Sequence, residues 1–313
     1  MSTTEQLSED QRAVRAGAGL VDRSERGKLA LTGAETKRFL QGQITNDALA
    51  LAPGDGIYAA FLTAKGKMLG DLRVLDAGDE LLLDTERVAL QELFNMIRRY
   101  SLGFDVELHR RTIERGLLSL VGPRAREIAG ADGLAAQEHA NAAADVDGIP
   151  VRLIATDLGV DLWVDSAQTE ALKQALVARG ALPVAEQAAE IVRVEQGRPR
   201  YGVDLDDATI PQEAGLNERA VSFTKGCYVG QETVARLFYK GKPNRHLRGL
   251  RLSQPLPSGT ELTLDGKRVG ALGSVVESPL HGPIALALVR REAQPGTIVQ
   301  AGTATAEVVE LPF

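Results

Sequence analysis

The chain has one cysteine in 313 residues. That excludes an internal disulfide and any cysteine-rich metal or cluster site held by a single chain. Histidine is nearly as scarce. His109, His139, His246 and His281 are widely scattered with no metal-ligand spacing, so each reads as a surface or packing residue. No apolar run approaches the roughly 20 residues of a membrane helix. The segment Met1 to Arg15 is polar and acidic without an apolar core, so it does not read as a signal peptide and the expected location is cytosolic. A net charge of −6 argues against generic binding to nucleic acid, which needs a broad basic surface. No membrane association is expected either.

What is present is ordinary in bulk, with 44% hydrophobic and 25% charged residues, and long enough for two or three compact units. The charge, however, is unevenly placed. Residues 225 to 251 hold Lys225, Arg236, Lys240, Lys242, Arg245, Arg248 and Arg251 against Glu232 alone, a local +6 that leaves −12 for the remainder. A basic strip on an acidic body is a candidate anion site. At its head stands Lys225-Gly226-Cys227-Tyr228-Val229-Gly230-Gln231-Glu232, which contains the lone cysteine. A free cysteine is often no more than a small buried hydrophobe. Here the flanking glycines suit positive φ or close approach to a ligand. A helix opening at Gln231 with Glu232 in its first turn would set Cys227 just ahead of a helix N-terminus, where the dipole and Lys225 favour thiolate.

Hydrophobic periodicity gives a coarse architecture. Lys28 to Leu31 reads as a strand, and Thr32-Gly33-Ala34-Glu35 fits a capping box before a helix ending at Gly42. Two strands, Ile57 to Leu62 and Met68 to Leu75, turn at Lys65-Gly66-Lys67, and Glu80 to Leu83 precedes a helix over Val88 to Tyr100. The pattern recurs. Leu117 to Val121 is a strand, Pro123 opens a short helix, Pro150 to Ala155 and Val160 to Val164 pair, and a helix over Gln168 to Ala178 closes at Gly180. The Ala-rich stretch from Ala129 to Ala144 reads as a surface connection. A further helix spans Glu186 to Gln196. Beyond Lys242-Pro243 the composition turns to short strands at 247–252, 261–264, 268–277, 285–289 and 304–310. The expected fold class is α+β: two related antiparallel-sheet-plus-helix units followed by a small C-terminal β-barrel. The expected domains are residues 1–108 together with 186–241, then 109–185, then 242–313.

The cysteine octet resembles the signature of the folate-binding YgfZ family, which is related to the glycine cleavage T-protein aminomethyltransferase and to iron–sulfur cluster assembly factors. The resemblance covers nearly the whole chain. Arg193-Val194-Glu195-Gln196-Gly197 followed by Tyr201-Gly202-Val203-Asp204 resembles the T-protein segment that supplies a pterin-facing glutamate, which falls on Glu195. One carboxylate can accept two adjacent pterin N–H donors. The alternative is a solvated helix residue paired to Arg193 or Arg198. Tyr58 through Asp71 is similar to a second family segment, with Tyr58 beside the folate. T-proteins carry paired aspartates there, whereas this chain has Gly70-Asp71, a departure that bears on aminomethyl transfer and not on folate binding. Ile210-Pro211-Gln212-Glu213-Ala214-Gly215-Leu216 resembles the segment leading into the octet.

The resemblance thus implies tetrahydrofolate or a one-carbon derivative as cofactor, bound through Glu195, Tyr58, Arg193, Tyr201, Arg236 and Lys225. Arg236 is the first choice for the glutamyl tail, since arginine suits carboxylates. Cys227 is the candidate reactive thiol and Asp71 the candidate catalytic acid. Implied partners are iron–sulfur enzymes or cluster carriers, with an effect on tRNA modification through them. A second reading is a true folate-dependent aminomethyltransferase, and a third is a folate-sensing module without chemistry.

Overall fold

The computed structural model describes residues 3–313. The chain divides into two compact units. One holds residues up to Ala59 and Asp71–Ala189, and the other holds Ala60–Gly70 and Glu190–Phe313.

The first unit opens with helix α1 (Thr3–Ala16) and strand β1 (Gly19–Asp22), which the sequence patterning did not single out. Two equivalent runs of elements follow. The first is β2 (Gly27–Thr32), α2 (Thr36–Gln41), β3 (Gly56–Leu62), β4 (Met68–Asp76), β5 (Leu81–Thr85), α3 (Leu90–Tyr100) and β6 (Glu107–Arg110). The second is β7 (Arg115–Val121), α4 (Ala125–Ala129), β8 (Asn141–Val146), β9 (Ile149–Ala155), β10 (Gly159–Asp165), α5 (Thr169–Ala178) and β11 (Leu182–Pro183). Residues 60–70, the far end of the β3–β4 hairpin, belong to the other unit.

Each run is strand, helix, three-strand meander, helix, strand, and the sheet orders correspond: β3-β4-β5-β2-β6 and β8-β9-β10-β7-β1-β11. The difference is β1. It pairs antiparallel with β7 in the place that β6 takes beside β2, and pushes β11 outward into a parallel pairing with itself. The expected pair of related antiparallel-sheet units is therefore present, with one parallel edge added by the N-terminal strand. A glycine ends the first strand of both runs. Gly33 (φ 113) and Gly122 (φ 128) let the neighbouring backbone approach so closely that a Cβ would lie 2.2 Å from the Asp105 carbonyl oxygen and 2.6 Å from that of Gly17.

Two sequence expectations need correction. The capping box does not form. Thr32 ends β2, its hydroxyl sits 2.8 Å from His109 Nε2, and α2 begins only at Thr36 behind Glu35. The stretch from Ala129 to Ala144 is not a surface connection. Ala129, Ala131, Leu134 and Ala140 are buried in the core between the six-stranded sheet and helices α4 and α5, and β8 begins at Asn141. The alanines masked a strand that buries Asn141 and Val146 at its two ends and only part of Ala142 and Ala144 between them.

The two sheets of this unit meet across Ala30, Leu75 and Leu82 on one side and Leu117, Ile154 and Trp163 on the other. Beside this apolar contact runs a buried ionic chain. Arg73 on β4 donates from Nε to Asp84 Oδ2 (2.6 Å) on β5 and from Nη1 to Asp161 Oδ2 (2.6 Å) on β10. Ser119 on β7 donates to the other oxygen of Asp161 (2.6 Å), and Arg26 closes on Asp84 Oδ1 (2.8 Å) and on Glu86. Asp84 has no exposure. Burial opposes its charge, yet Arg26 and Arg73 outweigh that and hold it at about 2.

The second unit contains helix α6 (Glu186–Glu195) from Glu190 onward, a short helix α7 (Asn217–Ala220) and helix α8 (Gln231–Lys240). A closed six-strand barrel follows: β12 (Arg245–Leu252), β13 (Glu261–Leu264), β14 (Lys267–Ser278), β15 (Gly282–Arg290), β16 (Ile298–Ala301) and β17 (Ala304–Val309). The expected barrel is there, with β16 in addition to the strands read from the sequence. Its interior is filled by Leu250, Leu262, Leu272, Ala287, Val299 and Val308. Val194 of α6 packs on Leu247, Ile284 and Leu286, so the end of α6 is anchored to the barrel wall.

Removing one partner of the buried ionic chain should be severe. Arg73→Met or Asp84→Asn is expected to lower the stability of the first unit by about 3–5 kcal/mol at neutral pH, because a buried charge is left uncompensated. The single tryptophan, Trp163, sits in that unit and reports its unfolding directly. Asp84 titrates lower when folded than when unfolded, so its contribution is present above the unfolded value of 3.8 and is lost as pH falls towards 2. Urea melts of Asp84→Asn and wild type should accordingly converge near pH 2. Equal stability at neutral pH would show that the ionic chain is dispensable.

Candidate functional site

The β3–β4 hairpin places Tyr58 opposite Asp71 in the first unit. The Tyr58 hydroxyl donates to Asp71 Oδ2 at 2.6 Å, and Asn46 Nδ2 donates to the Tyr58 carbonyl at 2.9 Å. Thr85 donates to the Asp71 carbonyl at 2.5 Å, which ties the aspartate to β5. Asp71 is buried, and burial pushes its carboxyl up to about 6. The Tyr58 hydroxyl works against that shift, Glu86 adds to it, Arg26 opposes it and Asp84 adds to it. A carboxyl poised near neutrality with a fixed hydroxyl donor can hold or release a proton under ordinary conditions. The sequence marked both residues, but nothing in it announced the shift, which comes first from burial and then from charges brought in from separate segments.

In the second unit the functional candidates collect around the end of α6. Glu195 is buried. Its Oε1 accepts from the Ser278 hydroxyl (2.5 Å) at the end of β14, and its carbonyl accepts from the Phe313 N–H (3.0 Å). Arg193, two residues earlier, donates from Nε and Nη2 to the two oxygens of Glu190 (2.9 and 2.8 Å). Its remaining hydrogens go to Asp204 Oδ2 (3.0 Å), the Ser274 hydroxyl (2.6 Å) and the Arg198 carbonyl. All five guanidinium hydrogens are thereby engaged within the unit. Arg193 holds α6 to the 200–204 turn and to β14. Tyr201 lies in that turn, buried, in a short parallel bridge to Leu205. Sequence reasoning missed Ser278, Ser274 and Asp204 as supports. Of these only Asp204 lay in a segment already singled out.

The cysteine octet is an irregular stretch leading into α8, and the helix opens at Gln231 as expected. Cys227 is a free, exposed thiol. Two of its neighbours are not exposed. Lys225 and Tyr228 are buried, with the Lys225 ammonium 4.8 Å from the centre of the Tyr228 ring. Burial drives the Tyr228 hydroxyl up to about 12. Gly230 takes a left-handed φ of 84 as the N-cap, whereas Gly226 has open space where a Cβ would stand, so no close approach requires it. Arg236 is exposed on α8.

The structure thus brings Tyr58 to Asp71, gathers Glu195, Arg193 and Tyr201 around one helix end, and sets Lys225 beside Tyr228 under the exposed thiol. Arg236 joins none of these groups. Among the described residues no cluster of three or more His, Cys, Asp or Glu could hold a metal ion, and no helix is long and apolar enough to cross a membrane.

Comparison with known proteins agrees with this arrangement. Residues 2–225 match the model of the GCVT N-terminal domain, and residues 245–312 match the CAF17 C-terminal β-barrel domain. The chain is 30% identical over 267 residues to a putative chloroplastic transferase of Arabidopsis thaliana, covering 82% of this chain and 62% of that protein. It therefore spans less than two-thirds of that relative. It is 28% identical over 322 aligned positions to an aminomethyltransferase of Rubrobacter xylanophilus, covering 98% of this chain and 86% of the other. Among solved structures, glycine cleavage system aminomethyltransferase T from Bartonella henselae superposes with a TM-score of 0.86 at 25% identity, over 98% of this chain and 89% of that one. The chain belongs to the GCVT family and carries a CAF17-type barrel at its C-terminal end.

Proposed function

We propose that this protein binds tetrahydrofolate or a one-carbon derivative and supports the assembly or repair of iron–sulfur enzymes, and through them tRNA modification. The observation that carries the folate part is Glu195. It is a buried carboxylate at the end of α6, steadied by Ser278, on a segment that resembles the one supplying a pterin-facing glutamate in T-proteins. A carboxylate can accept a pair of adjacent ligand N–H groups, which is what a pterin presents. The chemistry of the site therefore fits a pterin. Tyr201 and Tyr58 are offered as further folate contacts, and Lys225 and Arg236 as cations for the glutamyl tail.

The cluster part rests on the resemblance and on the exposed thiol of Cys227. A single thiol does not hold an ordinary four-cysteine cluster. The protein would act with cluster enzymes or carriers and not be one itself, in the cytosol, where a reduced thiol is the ordinary state.

A second reading, folate-dependent aminomethyl transfer, is favoured by Asp71. A carboxyl raised to about 6 and held by Tyr58 is suited to proton exchange at a reacting nitrogen. Gly70 in place of the second acid of the T-protein pair weighs against it.

Calorimetry with tetrahydrofolate tests the folate assignment. Glu195→Ala is expected to weaken binding by at least about tenfold, as loss of a charged hydrogen-bonding partner costs about 1.5–3 kcal/mol. Unchanged affinity would remove Glu195 from the site. The state of Asp71 is tested by stability against pH. Its folded value of about 6 lies above the unfolded 3.8, so the group favours the folded chain at low pH and its contribution disappears as pH rises through 6. Asp71→Asn should therefore be more stable than wild type above pH 7, by up to about 3 kcal/mol, and about equal to it near pH 4. A difference that does not change with pH would contradict the buried, shifted carboxyl.

A further inference from the structure

The last turn of α8 exposes two large aromatic side chains, Phe238 (48%) and Tyr239 (65%). Phe238 is not a loose ring. It stacks on Phe223 with centroids 3.7 Å and planes 16° apart, and Tyr239 meets it edge-on at 5.0 Å. The stack fastens the start of the segment 223–230 to the far end of α8. Its other end is held where the Gln231 N–H donates to the Tyr228 carbonyl (3.2 Å) at the helix start. With a rise of about 1.5 Å per residue, those two anchors are about 10 Å apart along the helix. The segment bearing Cys227 is therefore closed against α8 at both ends, with its thiol exposed between them.

One face of α8 is already covered. Val234 is buried, its carbonyl accepts from Gln212 Nε2 (2.9 Å), and Thr233 lies against Gly66, where an added Cβ would come within 2.8 Å of it. The other face is open. Glu232, Arg236, Tyr239 and Lys240 recur at i, i+4, i+7 and i+8 on one stripe, all exposed, and Lys242 follows. Arg236, Lys240 and Lys242 make no ion pair among the described residues. Phe238, Tyr239 and Arg236, exposed on one helix, are the residue types enriched in interface hot spots, and Lys240 and Lys242 add positive charge beside them.

We propose that this face of α8, with the Cys227 segment beside it, is a docking surface for an acidic segment of a partner protein. The partner's apolar side chain packs on the Phe238–Tyr239 pair, and its carboxylates meet Arg236, Lys240 and Lys242. Charge decides the occupant. Three unpaired cations face a single Glu232, while the rest of the chain sums to −12, a field that repels a polyphosphate backbone extending past this short helix. The surface shares Arg236 and Cys227 with the proposed function, but the peptide titration contains neither folate nor a cluster protein, so its failure leaves both of those assignments standing.

The test is fluorescence anisotropy of a short fluorescein-labelled peptide of Asp-Glu pairs spaced by Leu, titrated with the full chain. Saturable, salt-sensitive binding is expected, falling at least about tenfold in Arg236→Glu/Lys240→Glu and separately in Phe238→Ser/Tyr239→Ser, since the first replaces attraction by repulsion and the second removes the apolar anchor. All four side chains are exposed or on the last turn, and thermal melts confirm that the variants fold. The same peptide with Asn and Gln for its acids should not bind. A benzophenone attached at Cys227 should photo-cross-link to the bound acidic peptide, and binding without cross-linking would overturn the placement of Cys227 in the surface. No saturable binding, or equal binding by both variants, overturns the proposal. Tighter binding of a labelled oligouridylate overturns it in favour of nucleic acid. Dimerisation in sedimentation velocity that the charge variant abolishes overturns it in favour of a second copy.

Discussion

Arg73 is the side chain on which the first unit turns. It reaches from one sheet to Asp84 beside it and to Asp161 on the facing sheet, and these carboxylates are shared with Arg26 and Ser119. Buried charges are tolerated only when each finds partners of good geometry. That demand fixes how β4, β5, β7 and β10 line up, in a way the apolar contact of Leu75, Leu82, Ile154 and Trp163 alone would not. Asp71 lies close to the same charges, but burial is what chiefly raises its carboxyl, to about 6. Tyr58 works against that, while Glu86 and Asp84 add to it and Arg26 restrains it.

The second unit solves a comparable problem around Arg193. One guanidinium joins α6, the turn at Asp204 and strand β14 through Ser274, and Glu195, two residues along the helix, is held by Ser278 of the same strand. The barrel is thus a support for the end of α6 and for the carboxylate that end presents. Loss of Arg193 would loosen the end of α6 that carries Glu195.

Much of this was legible in the sequence. The strands and helices of both runs follow from period-two and helical patterning, and the barrel from short strands separated by turn residues. What was not legible has physical reasons. β8 is rich in alanine and half-exposed, so it is defined by its pairing with β9 and not by a hydrophobic pattern of its own. β1 joins a sheet whose other strands lie about a hundred residues on, a pairing that no local signal encodes. The site residues Tyr58, Asp71, Glu195 and Cys227 stood out through their segments, but the partners that define their chemistry did not. Ser278 and Glu86 come from elements with no mark of function, and the capping pattern at Thr32 was overridden by His109.

Our proposal is that this GCVT-family chain binds a reduced folate through Glu195 and meets partner proteins at the Cys227 face. Native mass spectrometry of the intact chain with tetrahydrofolate, its one-carbon derivatives and a glutamate peptide lacking the pterin measures that most directly. The account predicts a one-to-one complex with the reduced folates and none with the glutamate peptide alone. Absence of any folate complex, or equal retention of the peptide without its pterin, would contradict it.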